Sequence, residues 1–224
     1  MIVVILLLVV VVVILLWGSQ GEHFDGGDAR FRVVFRTDWG AAGSAGIVGY
    51  PMPPLQGPHT GNMLLVTHNN GYEIFKVGDY ASEGIVNSAE FGVNDNLLRE
   101  LQDDNIRGDI YKVYTGGVLN APGSKEFEVV ANKRYPLLSF ATMIAPSPDW
   151  FTAVSGVDLL SISDKKTIPL YVYDAGSDSG NIFQTTPKHP RRNRNPITYK
   201  TSPPFFPIGI RKIPPIAFLD IIRL

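Results

Sequence analysis

Residues 140–151 read F-A-T-M-I-A-P-S-P-D-W-F, and residues 173–180 read Y-D-A-G-S-D-S-G. In both segments an aspartate follows an apolar run, within a turn that proline stiffens or glycine opens. Short apolar runs bounded by such turns are typical of β-strands. The two segments therefore predict two strand ends, which place Asp149, Asp174 and Asp178 on loops.

Further strand-like segments lie on both sides of these two. Between Arg30 and Arg36, apolar residues alternate with arginines, which is the period of a half-buried strand. The high content of glycine and proline, 22 and 17 residues, favours antiparallel β structure over a helical bundle. The other predicted strands are residues 63–66, 72–77, 110–115, 126–130, 137–145, 157–162, 168–173 and 216–224.

Two short helices are predicted between the early strands. Ser82 can cap a first helical turn, and Asn94 or Asp95 can cap a second helix that carries three leucines on one face. The whole pattern predicts an all-β fold, an antiparallel β-sandwich with a small helical insertion.

The N-terminus begins with an apolar run, residues 2–17, that carries no charge. Small residues follow at Ser19 and Gly21, as the cleavage site of a signal peptide requires. A retained membrane anchor is the alternative, because no Lys or Arg precedes the run. We expect residues 1–21 to be a signal peptide or anchor, residues 22–28 a polar linker and residues 29–224 one domain of a secreted protein.

Charge balance and residue usage argue against several classes of function. With 20 basic and 21 acidic side chains the net charge is −1, whereas nucleic-acid binding rests on an excess of Lys and Arg. The absence of cysteine removes disulfides, thiolate metal sites and a cysteine nucleophile. No nucleophile elbow, phosphate loop or zinc-protease motif occurs, and the 4 histidines lack ligand spacing. We expect neither an enzyme nor a nucleic-acid-binding protein.

One basic cluster lies in a long proline-rich connection and consists of Lys188, Arg191, Arg192 and Arg194. Such a run can contact a sulfated polysaccharide or another polyanion weakly. The alternative is a solvated loop that binds nothing.

The loop aspartates also admit two interpretations. Carboxylates that converge at strand ends can bind a hard cation such as Ca²⁺. Alternatively, each aspartate accepts a hydrogen bond within its own turn and binds nothing. The spacing does not match an EF-hand, whose closing glutamate is missing. In the segment 126–130, Glu126 and Glu128 share the outer face, while the apolar residues between them point inward.

Taken together, these motifs resemble the spondin N-terminal (F-spondin) domain family. The specific pair is P-S-P-D-W-F with Y-D-A-G-x-D-S-G, and residues 31–35, 81–85 and 213–217 also match in order. The resemblance runs from about Ala29 to Leu224. It implies a β-sandwich similar to C2 domains, in an extracellular matrix or cell-adhesion protein whose partner is a matrix or cell-surface protein or glycan.

The resemblance also implies a Ca²⁺ site. The family's ligands are a strand glutamate and the aspartates of the two motifs, which correspond here to Glu128, Asp149 and Asp174. Glu126 competes with Glu128 for the first of these roles. The chain departs from vertebrate relatives in having no cysteine, one of which would stand at Leu160, and no Cys-rich thrombospondin-type repeats. We therefore do not expect the functions of those repeats.

Overall fold

The computed structural model describes residues 27–37, 39, 57–184, 190–202 and 213–224. The predicted signal peptide or anchor, most of the polar linker and Lys188 lie outside the described residues. Within the described part, strands dominate and two helices lie between early strands, so the predicted fold class is confirmed.

The described residues form two helices and ten strands. The helices are α1 (Glu83–Phe91) and α2 (Asp95–Ile106). The strands are β1 (Ala29–Thr37), β2 (His59–Thr60), β3 (Met63–His68), β4 (Ile110–Gly116), β5 (Gly123–Ala131), β6 (Leu137–Ala145), β7 (Trp150–Asp158), β8 (Lys165–Asp174), β9 (Thr198–Tyr199) and β10 (Ala217–Arg223).

The strands pair in the order β4-β3-β6-β7-β8-β10-β1-β5, while β2 pairs with β6 and β9 pairs with β8. Every described pairing is antiparallel. Strand β8 belongs to both layers of the sandwich, because residues 165–170 pair with β10 whereas residues 171–174 pair with β7. A strand that changes layers in this way forms a corner of the sandwich. The last residues of β8 therefore lie in the same layer as β6 and β7.

The core lies between the two layers. Phe31, Val33 and Phe35 of β1 are fully buried, whereas the arginines between them face out, as the alternating pattern predicted. Phe35 packs against Phe140 of β6 with ring centres 5.1 Å apart, so side chains of both layers meet in one core. Each such side chain stabilises the fold by about 1.5–3 kcal/mol relative to an exposed position.

The helices cover the outer face of the β3–β6–β7 layer. Ile85 of α1 and Leu97 and Leu101 of α2 are buried there in a second apolar cluster. Strands β3 and β6 are therefore buried on both faces, which explains why apolar residues dominate their sequences instead of alternating with charged ones.

Local hydrogen bonds set the ends of the helices. The hydroxyl of Ser82 accepts a hydrogen bond from the amide of Ile85 at 3.2 Å, so the predicted cap of α1 is confirmed. Gly92 ends α1 with φ at 68°, a left-handed conformation that favours glycine. Helix α2 follows Asn94, whose side chain makes no capping hydrogen bond.

Two predicted strands differ from the structure. Residues 72–77 are irregular, with a bend at Ile74 and a turn at Val77, and do not form a strand. Ile74 and Phe75 pack singly in the outer layer, where Phe75 contacts the rings of Phe151 and Tyr173. Strand β7 begins at Trp150 and not at 157. The P-S-P-D turn is short, and it is closed by a 3.1 Å hydrogen bond that the Trp150 amide donates to the Ser147 hydroxyl. Pairing with β8 therefore starts immediately after Asp149.

Candidate functional site

The two motif aspartates lie side by side at the same end of the sandwich. Trp150, the residue after Asp149, pairs in register with Asp174, the last residue of β8. The amide of Ala175 also donates a 3.1 Å hydrogen bond to the carbonyl of Asp149. Adjacent strands lie about 4.8 Å apart, so this register makes Asp149 and Asp174 close neighbours.

The carboxylate of Asp149 is fully buried, and its two oxygens differ in their contacts. Oδ2 accepts hydrogen bonds from the amides of Ser177 and Asp178, at 2.8 and 2.9 Å, and from the hydroxyl of Ser177 at 3.3 Å. Oδ1 has no hydrogen-bond partner among the described residues. A buried polar atom without a partner is unusual and costs about 1–3 kcal/mol.

Electrostatics also disfavour the charged form of Asp149. Burial, and next the negative charge of Asp174, raises the pKa of Asp149 to about 6, although the amides of Ser177 and Asp178 act in the opposite direction. A cation at Oδ1 would satisfy the free oxygen and offset the repulsion between the two carboxylates. Asp149 and Asp174 therefore fit a bound cation.

The loop after β8 holds its shape through turn hydrogen bonds. Oδ1 of Asp174 accepts from the amide of Gly176 at 2.9 Å, and Oδ1 of Asp178 accepts from the amide of Gly180 at 2.6 Å. The predicted turn chemistry is therefore present at both residues. Asp149 is different, because its hydrogen-bond donors come from this distant loop and not from its own turn.

The described part of the basic connection packs against this loop. The amides of Arg191 and Asn195 donate to the carbonyls of Ser177 and Gly176, each at 2.8 Å. Gly176 has φ at 75°, and any side chain there would collide with the carbonyl of Asn195. Glycine is required at this position both for its backbone conformation and for the close approach of the connection.

Glu128 lies far from the aspartate pair. Glu128 pairs in register with Arg32 of β1. Arg32 pairs in turn with Ile222 of β10, which pairs with Lys165 of β8. Lys165 is the first and Asp174 the last of the 10 residues of β8. At 3.3 Å per residue, Glu128 and Asp174 are separated by roughly 30 Å along the strands.

Both glutamates of β5 instead form exposed ion pairs with β1. Glu128 pairs with Arg30 at 3.5 Å, and Glu126 pairs with Arg32 at 3.2 Å. Within the described ranges, no three acidic or histidine side chains lie close enough to hold a metal together. The structure thus brings together two of the three residues that the resemblance assigned, and it does not bring Glu128 to them.

Two residues near the pair were not assigned to the site from the sequence. Asp178 is fully buried, and its charge also raises the pKa of Asp149. It belongs to the same motif as Asp174, so the sequence did contain a signal for it. Lys200, whose side chain is buried near both aspartates, follows β9 and had no signal in its local sequence.

The basic cluster is only partly available to a partner. Arg194 is held by Glu83 of α1 at 2.7 Å, and Arg191 is half-buried with a buried Nε. Arg192 is exposed.

Comparison with known proteins agrees with this arrangement. The Spondin_N family model matches residues 29–215, which include both aspartate motifs and the strands that carry them. The chain belongs to the spondin N-terminal family. Human Spondin-2 is 28% identical over 210 residues, covering 88% of this chain and 62% of that protein. Mouse Spondin-1 is 29% identical over 196 residues, covering 80% of this chain and 23% of that protein.

The chain therefore spans less than two thirds of these spondins. Spondins are secreted extracellular matrix proteins, and membership of the family places this chain outside the cell, as the sequence predicted. Among the described residues, no helix is long and apolar enough to cross a membrane.

Proposed function

We propose that this chain is an extracellular matrix or cell-adhesion module of the spondin type, in which Asp149 and Asp174 bind one Ca²⁺. The ion would stiffen the loops at one end of the sandwich, where the segments around 149, 177 and 195 meet. The observation that carries the proposal is the buried Oδ1 of Asp149, which has no partner among the described residues and lies beside a second carboxylate.

The chemistry of the site favours calcium over other metals. Asp149, Asp174 and Asp178 offer only oxygen ligands, which suit Ca²⁺, whereas catalytic zinc usually takes histidine. We propose that Asp178, which lies in the loop that already contacts Asp149, adds its negative charge to the site, although the three described carboxylates do not lie close enough to hold one ion together. Glu128 is the family's expected ligand, but its register position argues against this role in the present arrangement.

The proposed role is structural and adhesive, not catalytic. His68 and Ser139 form a 2.8 Å hydrogen bond that superficially suggests a nucleophile and its base, but both residues are fully buried, so no substrate reaches them. Membership of a family of matrix proteins supports a matrix or cell-surface protein or glycan as the partner.

The proposal is tested by thermal unfolding in chelator and in millimolar Ca²⁺. At a concentration about ten times the dissociation constant, binding stabilises the folded state by about 1.4 kcal/mol, which raises Tm by a few degrees. Asp149→Asn and Asp174→Asn should remove this rise. Asp164→Asn is the matched control, because Asp164 is exposed and lies before the opposite end of β8. Equal Tm values for the wild-type protein in the two conditions would reject the calcium site.

A further inference from the structure

Lys200 is a buried lysine beside the aspartate pair. Its backbone amide donates to the carbonyl of Val172 at 2.9 Å, which anchors it next to β8. The residue is only 8% exposed, and its ammonium lies 4.5 Å from the ring centre of Trp150. Trp150 directly follows Asp149 and pairs with Asp174, so the structure holds a positive charge next to both carboxylates.

Burial of this ammonium needs a physical reason. Burial lowers the pKa of Lys200, whereas the charges of Asp174 and Asp149 raise it and nearby Arg191 lowers it further. Within the described ranges, Lys200 forms no salt bridge inside 4.0 Å. Its compensation therefore comes from the Trp150 ring and from the field of the two carboxylates.

Two roles are compatible with this placement and differ in one respect. A packing role needs only the four-carbon stem of the lysine, which covers the face of Trp150. An electrostatic role needs the charge, because the charge is what offsets the repulsion between Asp149 and Asp174. The two carboxylates and the buried ammonium together favour the electrostatic role.

We propose that Lys200 is an internal counter-cation of the Asp149–Asp174 pair and that its charge weakens the binding of an external divalent cation there. The first half of this inference concerns the metal-free protein, and the second half rests on the proposed function. Lys200 stabilises the pair when no metal is bound, and it repels a metal that arrives. The calcium affinity of this site then depends on the charge of Lys200 as well as on the ligands.

The test begins with calorimetric titration of Ca²⁺ into the chelator-treated full chain. Lys200→Met keeps most of the stem and removes the charge, so we expect calcium to bind roughly three- to tenfold more tightly. Lys200→Arg keeps the charge and should change the affinity little. Lys112→Met is the matched control, because Lys112 also lies over a ring, that of Tyr111 at 5.5 Å, but belongs to β4 and not to this site.

A second measurement does not depend on calcium. In chelator, the change in Tm caused by Lys200→Met should be more unfavourable in the wild-type background than when Asp174→Asn is already present, because one carboxylate then no longer needs compensation. If Lys200→Met and Asp174→Asn act additively in chelator, Lys200 has a packing role and the inference is wrong. An unchanged calcium affinity in a folded Lys200→Met protein would also overturn it.

The outcomes separate this inference from the proposed function. If no variant binds Ca²⁺ but Lys200 and Asp174 are coupled in chelator, the calcium proposal fails, and with it the second half of the inference, while the counter-cation role is supported. If the wild-type protein binds Ca²⁺ but the two residues are not coupled, the inference fails and the calcium proposal stands. Should Lys200→Met not fold, Lys200→Gln replaces it in both measurements.

Discussion

The amide of Asp178 donates a 2.9 Å hydrogen bond to Oδ2 of Asp149, 29 residues earlier in the chain. This bond joins the turn before β7 to the loop after β8, and the amide of Ser177 reinforces it at 2.8 Å. The buried carboxylate thus organises both loops before any ligand binds. Its second oxygen, which has no hydrogen-bond partner among the described residues, is the point at which a ligand can add to that organisation.

Asp149→Asn should not destabilise the metal-free protein. The pKa of Asp149 is raised from 3.8 to about 6, so the folded state holds the proton more tightly than the unfolded state, and stability falls as pH rises through that range. The charge is therefore unfavourable near pH 7, and removing it should leave the free energy of unfolding unchanged or raise it by up to about 3 kcal/mol.

Urea unfolding in chelator measures this effect. Asp149→Ala is the comparison, because it loses the contacts to Ser177 and Asp178 and should destabilise by about 1–3 kcal/mol. A loss of stability in Asp149→Asn as large as that in Asp149→Ala would show that the charge itself stabilises the metal-free fold.

Glu128 and Asp178 make opposite predictions as the third acidic residue of the site. Because Glu128 is paired with Arg30 at the far end of the sheet, Glu128→Gln should leave the calcium-dependent rise in Tm intact and change stability by less than about 1 kcal/mol. Asp178→Asn should reduce the rise. If Glu128→Gln abolishes the rise and Asp178→Asn does not, the ligand set implied by the family resemblance is correct and the assignment of Asp178 is wrong.

His68 should make the fold sensitive to mild acid. It is fully buried, its Nδ1 lies 2.6 Å from the carbonyl of Asn69, and burial lowers its pKa from 6.5. A lowered folded-state pKa means that the unfolded state takes up the proton first, so stability is lost as pH falls below about 6.5.

The measurement of this effect is Tm against pH in the Asp149→Asn background, which removes the opposing contribution of that carboxyl group. His68→Gln should flatten the profile between about pH 6.5 and pH 5. His59→Gln is the control, because His59 is more exposed. A profile that is equally steep in the His68 and His59 variants would assign the acid sensitivity to other groups.

Among the described residues of the basic cluster, Arg192 should contribute most to any contact with a sulfated polysaccharide. It is exposed, whereas Arg194 is paired with Glu83 and Arg191 is half-buried. Arg192→Ser should therefore lower the salt concentration at which the protein leaves a heparin column, with nearly unchanged Tm. If Arg192→Ser elutes at the same salt concentration as the wild type, the basic cluster is a solvated loop that does not bind the polyanion.

Local sequence patterns predicted most of the strands, but not the two-residue strands β2 and β9 and not all of the limits of the others. Strand β6 was predicted with its observed bounds, because a strand buried on both faces is a continuous apolar run. The predicted strand 157–162 missed the start of β7, because the P-S-P-D turn is short and pairing with β8 already begins at Trp150. The strand predicted at 72–77 was wrong, because apolar residues of this segment pack in the cluster beneath the helices and do not pair with another strand.

The site was predictable only as far as the motifs reach. Both aspartates stood out by their position after apolar runs, but their proximity depends on the register of β7 and β8, which no local pattern specifies. The resemblance supplied a strand glutamate by residue type, and register places Glu128 at the opposite end of the sheet. Lys200 reaches the site through the connection after 190, so only the three-dimensional structure places it there.

Titration of the chelator-treated protein with Ca²⁺ decides between a calcium site and turn chemistry alone. We predict saturable binding of one ion per chain with a dissociation constant of roughly 10⁻⁴–10⁻³ M, the range of extracellular calcium modules. Asp149→Asn and Asp174→Asn should each abolish it, while Asp164→Asn should bind as the wild type does. If the wild-type protein shows no saturable binding at concentrations about ten times the upper end of that range, Asp149 and Asp174 are not a calcium site.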